Sequence, residues 1–442
     1  MKRIVIIGLD GVPYGLIRNL THNGTMPATR ELIENGLFRR MESSIPEVSS
    51  VAWSSIITGK NPGEHGIFGY TDIPIGTYRL SFPNFNHLRA SPFWQSDGRG
   101  KSVIINVPGT FPVKPLNGVH ISGFVSLDLE RSVYPKSLIP TLADLNYRID
   151  VDSSKAHQST ELFLSELNRT LKARIDAYRY LWRKERWETF VLVFTGTDRL
   201  SHFLWDAYQN PGHGYHSSFL DHFHRIDEVI GEIADGLSED DFLMVLSDHG
   251  FESLEREVNV NFLLRETGFL RLKSGSKANF ADIDFGTKAF ALDPARLYVN
   301  LRDKYPRGSI REREYGRIVE ELVEVFDNLK LDGRRVVKGI FRKEELYRGP
   351  YAEQAPDVVL LPNRGFNLRS NMGAKALYEK GMFTGKHTQH DAFLLINRDL
   401  GKDVIPPRPS VFAVCDILNG LKSGKNSLPK TKNPISPEVK YA

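Results

Sequence analysis

The chain has 442 residues, 40% of them hydrophobic, enough for one large domain carrying an insertion or for two domains. Its 58 basic and 54 acidic residues leave a net charge of +4, spread along the chain. That excludes the concentrated basic surface of a nucleic-acid protein and leaves a mild attraction for anionic substrates. The single Cys415 excludes an intramolecular disulfide and fits a reducing compartment; in the apolar stretch Val411-Phe412-Ala413-Val414-Cys415 it reads as a core thiol.

The first apolar run is too short for the hydrophobic region of a signal peptide and leads into Gly8-Leu9-Asp10-Gly11, so residues 3–9 read as a buried strand feeding a loop. Helical patterns at 28–35 and 50–58 follow, then a strand at 102–107. Next come a long amphipathic helix at 161–182, whose Arg and Lys residues form a solvated face, and a strand at 189–195. A helix at 217–237, a strand at 242–247, a helix at 314–329, strands at 357–361 and 392–397 and a helix at 411–421 complete the series. The alternation predicts an α/β fold, a βαβ sheet covered on both faces. Residues 262–346 interrupt it and read as a small α+β insertion, suited to capping the main sheet and choosing the substrate, which divides the catalytic domain into 1–261 and 347–422. Residues 423–442, rich in Lys, Pro, Ser and Asn, read as a flexible tail. No stretch approaches the ~18 consecutive apolar residues of a membrane span. The expectation is a cytoplasmic protein without a membrane span.

The chemistry lies in short motifs at the ends of these elements. Asp10 sits just past the first strand, with Gly11 permitting the turn; alone, strand–Asp–Gly is a common turn. At 49–58 paired serines, Ser49 and Ser50, open an apolar helix that Thr58-Gly59 closes. A hydroxyl there faces unpaired backbone N–H groups and the positive end of the helix dipole, which suits a nucleophile; the plainer reading is a helix cap. Asp198 and His202, at i and i+4, lie on one face of a helix and can share an ion. Ser247-Asp248-His249-Gly250 is the strongest signal, because adjacent acid and imidazole at a strand end are hard to explain structurally. Gly385-Lys386-His387 precedes the last strand, with His390 as the alternative ligand three residues on. His65 reads as a loop-bonding residue, and His213, His216, His222 and His224 as surface or loop histidines.

The run from Ser49 through Thr58-Gly59 to Pro62-Gly63-Glu64-His65-Gly66-Ile67, with the order of the other motifs, resembles the alkaline phosphatase superfamily, in its type I phosphodiesterase/nucleotide pyrophosphatase branch. The resemblance spans nearly the whole chain. It implies an alkaline-phosphatase-like, mostly parallel central sheet with helices on both faces. Counting back from Thr58-Gly59 puts the family's nucleophile at Ser49, with Ser50 the neighbouring candidate. The resemblance further implies two divalent metal ions, one held by Asp198, His202 and His387, the other by Asp10, Ser49, Asp248 and His249. Mixed carboxylate and imidazole ligands favour Zn²⁺, with Mn²⁺ as the alternative. The implied reaction is hydrolysis of a small phosphate ester, a diester first, through a phosphoseryl intermediate on Ser49.

Departures from the family pattern keep other readings open. Tyr70 stands where nucleotide pyrophosphatases carry a phosphate-contacting Asn. The Cys/Ser-x-Pro-x-Arg signature of sulfatases and the Asp-Ser-Ala motif of alkaline phosphatase proper are absent. Gly349-Pro350 with Ala355-Pro356-Asp357 is familiar from a group of predicted phosphohydrolases or phosphomutases in the superfamily. A phosphomutase related to cofactor-independent phosphoglycerate mutase, or a phosphomonoesterase, is therefore the alternative. Leaving group and oligomeric state are not legible.

Overall fold

Ile4–Leu9 (β1) contains no charged side chain, and all of its residues are buried. A strand with no solvated face belongs in the middle of a sheet covered on both sides, and that is its place. The computed structural model describes residues 2–96, 100–400 and 405–423. In it the strands Leu37–Met41 (β2), Ser102–Val107 (β3), Gly118–Ser122 (β4), Val133–Tyr134 (β5), Thr189–Phe194 (β6), Phe242–Leu246 (β7) and Ala392–Ile396 (β8) join β1 in one sheet, ordered β2-β8-β7-β1-β6-β3-β4-β5. β7, β1, β6, β3 and β4 run parallel, while β8 is antiparallel to both of its neighbours and β5 to β4. The expected α/β architecture is present. From β1 the chain pairs with β6 on one side and β7 on the other, so the order reverses there and their carboxyl ends open on a shared crevice.

Helices Tyr14–His22, Thr160–Lys184 and His216–Asp235 contribute buried apolar faces to this core, and Pro27–Asn35 packs the half-buried Leu32 and Ile33 against it. Helix Pro27–Asn35 has no side-chain cap of its own; its first N–H groups and the Thr29 hydroxyl are received by Asp227, 2.6–2.9 Å away on helix His216–Asp235.

The described residues divide into two compact units, the first drawn from 2–60, 84–252 and 383–423 and the second from 61–83 and 253–382. In the second, a four-stranded antiparallel sheet runs Ala289–Leu292, Arg296–Val299, Val358–Pro362, Val337–Arg342. Helix Tyr315–Asp327 adds Ile318, Val319, Leu322 and Phe326 to the core of that unit. The strand expected at 357–361 therefore forms, but here rather than in the central sheet. Its neighbours on both edges are antiparallel partners, and Asp357 beside it accepts the Val299 N–H at 2.7 Å and the Tyr315 hydroxyl at 3.1 Å. This unit is consequently wider than the insertion read at 262–346. The flexible tail read at 423–442 lies, beyond Ser423, outside the described residues.

Candidate active site

Each strand end in the crevice delivers one motif. Asp10 follows β1, its N–H bonded to Phe194 O at 3.1 Å. Gly11 turns with φ +67°, and a Cβ there would lie 3.0 Å from Asp198 Oδ1, so glycine serves both the turn and the close approach. Helix Gly196–Gln209 begins just after β6; the Thr197 hydroxyl near its start donates to Asp10 O at 2.6 Å and Phe194 O at 2.9 Å. Asp198 and His202 are one turn apart on it. The helix kinks at Leu204, where Thr384 Oγ1 accepts the Trp205 N–H at 2.8 Å and the Thr384 N–H bonds His202 O at 2.8 Å. Asp248 and His249 follow β7, with Asp248 Oδ1 accepting the Gly11 N–H at 3.1 Å. His387 lies on the short strand Gly385–Thr388.

Ser49 is the first residue of helix Ser49–Thr58, which ends on Gly59 in the left-handed conformation. Its Oγ donates to Asp10 Oδ1 at 3.1 Å and lies 3.0 Å from His249 Nε2. The buried Ser50 Oγ finds no partner. Ser49, the serine that the family spacing picks, is thus the one in contact with the acid and the imidazole.

The three imidazoles share one orientation. Nδ1 of His202 lies 3.3 Å from Gly385 O, that of His387 3.0 Å from Glu47 O, and that of His249 3.1 Å from Gly250 O. A carbonyl can only accept, so each ring donates from Nδ1 and turns the lone pair of Nε2 into the site. There His387 Nε2 stands 3.0 Å from both His202 Nε2 and Asp198 Oδ1, and His202 Nε2 is 3.5 Å from the same oxygen. His249 Nε2 is 3.4 Å from Asp248 Oδ2 and 3.7 Å from Asp10 Oδ1. Among the described residues, Asp198, His249 and His387, and Asp10, Asp248 and His249, form two donor groups with ligand atoms within 4.8 Å. His249 belongs to both, and its ring stacks on that of His387 at 3.8 Å. Neither His390 nor His202 belongs to these two groups, although His202 Nε2 lies 3.0 Å from His387 Nε2 and 3.5 Å from Asp198 Oδ1.

Electrostatics divide the imidazoles: burial lowers His387, but Asp198 and the Glu47 carbonyl more than offset it and raise that ring above the ordinary imidazole value. Burial holds His202 and His249 down at about 3, so both rings are neutral at physiological pH. Burial also pushes Asp10 well above the usual carboxylate range, with Asp248 and Asp198 adding repulsion, and pushes Asp248 up to about 6. Asp198 goes the other way: burial raises it, but His202, His387 and Arg199 more than offset that. Asp248 Oδ2 is buried without a hydrogen-bond partner, 3.4 Å from His249 Nε2. Facing imidazole nitrogens, crowded carboxylates and an oxygen without a hydrogen bond are a donor set that could hold a cation. Ligand nitrogens of a tetrahedral Zn²⁺ with bonds of ~2.0–2.1 Å lie ~3.3 Å apart, close to the His202–His387 separation.

All seven sequence-derived residues are brought together within the first unit; Tyr70 lies in the second. Arg199, inside the Asp-x-x-x-His motif, was not singled out, although it binds Asp198 Oδ2 at 2.8 Å; Lys386, paired with Glu252 at 3.0 Å, was likewise passed over beside His387. Asp150, which grips Arg199, carried no sequence signal. His65 Nδ1 accepts the Ile67 N–H at 3.1 Å and so bonds its own loop. His222 corrects the surface reading: it is buried on helix His216–Asp235, and neither ring nitrogen has a partner.

A mostly parallel α/β sheet with an acid–imidazole site and a helix-borne serine at the carboxyl ends of its parallel strands fits the alkaline phosphatase superfamily. The chain belongs to the type I phosphodiesterase/nucleotide pyrophosphatase family, whose model matches residues 4–389. A search of curated proteins gave no match. Among solved structures, phosphonoacetate hydrolase from Sinorhizobium meliloti 1021, in complex with phosphonoformate, is similar with TM-score 0.64 at 18% identity, covering 96% of this chain and 95% of that one. Inactive murine ectonucleotide pyrophosphatase/phosphodiesterase 5, in complex with AMP, follows with TM-score 0.57 at 11% identity over 96% and 95%. At such identities the likeness is one of fold. Among the described residues no helix is long and apolar enough to cross a membrane.

Proposed function

We propose that this chain is a two-metal phosphoesterase acting on small phosphate diesters, with Ser49 as nucleophile and Zn²⁺ as the favoured ion. The observation that carries the reading is the convergence of three imidazole lone pairs and three buried carboxylates around one serine hydroxyl. Asp198, His202 and His387 would hold one ion, and Asp10, Ser49, Asp248 and His249 the other. A divalent ion at each group supplies Lewis-acid polarisation of phosphoryl oxygens and lowers the pKa of the serine hydroxyl. The three carboxylates and an ionised Ser49 together match the charge of two divalent cations.

The protein's own part is positioning. Asp10 holds Ser49 Oγ through a 3.1 Å bond, at the N-terminus of a helix whose free N–H groups suit the non-bridging phosphoryl oxygens. The ionised Ser49 Oγ attacks phosphorus as the bond to the leaving oxygen breaks in line with it; the leaving alkoxide takes up the proton the serine gave up, and a phosphoseryl ester that keeps the second ester group remains. Water then attacks that phosphorus and keeps its hydroxyl there, the Oγ–P bond breaks, and the other water proton restores the serine hydroxyl. The family supports phosphoester chemistry, and the two neighbours above were solved with a phosphonate and with AMP.

The test uses metal-stripped protein reloaded with Zn²⁺ or Mn²⁺ and assayed on matched aryl phosphate diesters and monoesters. Faster turnover of the diester, abolished by chelation and by Ser49→Ala, is expected. Undiminished turnover in Ser49→Ala would sink the nucleophile assignment, and activity surviving complete chelation would sink the metal reading.

A further inference from the structure

Asp198 has one oxygen for the imidazoles and one for a cation of the protein itself. Oδ1 faces His387 and His202, while Oδ2 accepts Arg199 Nη1 at 2.8 Å. Successive residues on a helix do not ordinarily face each other, so the guanidinium must be folded back and held. Asp150 Oδ2 takes Arg199 Nη2 at 2.8 Å and Nε at 3.2 Å, and the Phe124 ring lies 4.3 Å from the guanidinium carbon. Asp150 is anchored in turn: its Oδ1 accepts the Thr195 hydroxyl at 3.0 Å, at the end of β6. The backbone just before it is gripped by the buried Arg174, whose Nη2 bonds Ile149 O at 2.7 Å and Arg148 O at 3.1 Å. Arg174 Nη1 bonds Val193 O in β6 at 2.8 Å. Asp198 is thus fixed from the same strand that launches its helix, by a route outside that helix. The Arg199 and Asp150 side chains are 17% and 15% exposed, so solvent screens the pair far less than a surface ion pair.

We propose that Arg199, clamped by Asp150 and stacked on Phe124, is a positioning residue that pins Oδ2 of Asp198 so that Oδ1 alone faces His202 and His387, and thereby sets the affinity of that three-residue group for its divalent ion. The proposal rests on the metal reading above. Without the guanidinium the carboxylate can rotate or offer both oxygens, and the donor geometry is lost. Loss of such an outer partner typically weakens metal binding about 10- to 100-fold.

The experiment is calorimetric titration of the metal-stripped full chain with Zn²⁺, using wild type, His387→Ala, Arg199→Ala, Arg199→Lys and Asp150→Asn. Wild type should show two binding events, and His387→Ala identifies the one belonging to Asp198, His202 and His387. Arg199→Ala should weaken that event about 10- to 100-fold while moving the other by less than about threefold. Arg199→Lys should recover part of the loss, and the isosteric Asp150→Asn should weaken the same event by less than Arg199→Ala. A general structural role would weaken both events alike, and that result overturns the proposal. So does an unchanged event in both Arg199→Ala and Asp150→Asn. Wild type that binds no Zn²⁺, or none sensitive to His387→Ala, overturns the metal reading and this proposal with it.

Discussion

Ser49 and Trp53 are four residues apart on one helix face, and Gly8 and Asp10 are two apart on one side of the first strand. Four helical residues rise ~6.0 Å and two strand residues ~6.6 Å. The helix can therefore lie along the strand with Ser49 over Asp10 and Trp53 over Gly8. A Cβ at Gly8 would stand 2.3 Å from Trp53 Cη2 and 3.0 Å from Val193 Cγ2. Carbon contacts settle at ~3.5–4.0 Å, so Gly8→Ala forces the indole, and the helix carrying it, to give by more than an ångström. Trp53 is 1% exposed, so the ring cannot simply swing into solvent. Overpacking of this kind costs about 1–3 kcal/mol, which at about 1 °C per kcal/mol for a chain of 442 residues lowers Tm by roughly 1–3 °C. Ser49 moves with the helix, and ~1 Å of misplacement costs on the order of 100-fold in rate. We expect Gly8→Ala to lower both Tm and kcat/KM on an aryl phosphate diester, and Gly8→Ala/Trp53→Phe to regain part of the rate by removing the colliding ring. A Gly8→Ala protein matching wild type in melting and turnover, or a double variant slower than the single, would refute the reasoning.

Asp248 should trade stability for binding. Burial raises its carboxyl to about 6, above the ordinary ~3.9, so in stripped protein folding loses free energy as pH rises between those values. Stripped Asp248→Asn should therefore melt higher than stripped wild type at pH 7, by the equivalent of about 1–3 kcal/mol, and show little of the stabilisation that Zn²⁺ gives wild type. Asp241 is the opposite case: burial would raise it, but hydrogen bonds from Arg3 and Ser238 hold it well below the carboxylate range. Its contribution is present above about pH 4 and fades as pH falls toward the lowered pKa. Asp241→Asn should thus cost about 2 kcal/mol at pH 7, with the gap to wild type narrowing in melts at pH 3. Ser50→Ala should keep turnover within about twofold and leave Tm level or slightly higher, because its buried hydroxyl has no partner to lose.

What could be read in the sequence follows from how much each residue costs where it sits. Asp248 and His249 were legible because two ionisable groups at the end of a buried strand have no cheap structural explanation, and Asp198 with His202 because a helix turn fixes their spacing. Helix capping alone does not separate Ser49 from Ser50, since either hydroxyl suits a helix start; the family spacing picks Ser49, and its bond to Asp10, 39 residues away, is a tertiary contact. Asp150 was invisible for a different reason. An aspartate in a polar stretch is ordinarily solvated, and its role arises only because Arg174 draws that stretch onto the sixth strand. The strand at 358–362 was legible as a strand but not by sheet, because a short apolar run says that two neighbours bury it and not which two. Ligands belong to motifs, whereas the groups that aim them belong to tertiary contacts between motifs. Arg199 is the case that crosses this line: it stands inside a ligand motif, yet its purpose becomes readable only once Asp150 and Phe124 close around it.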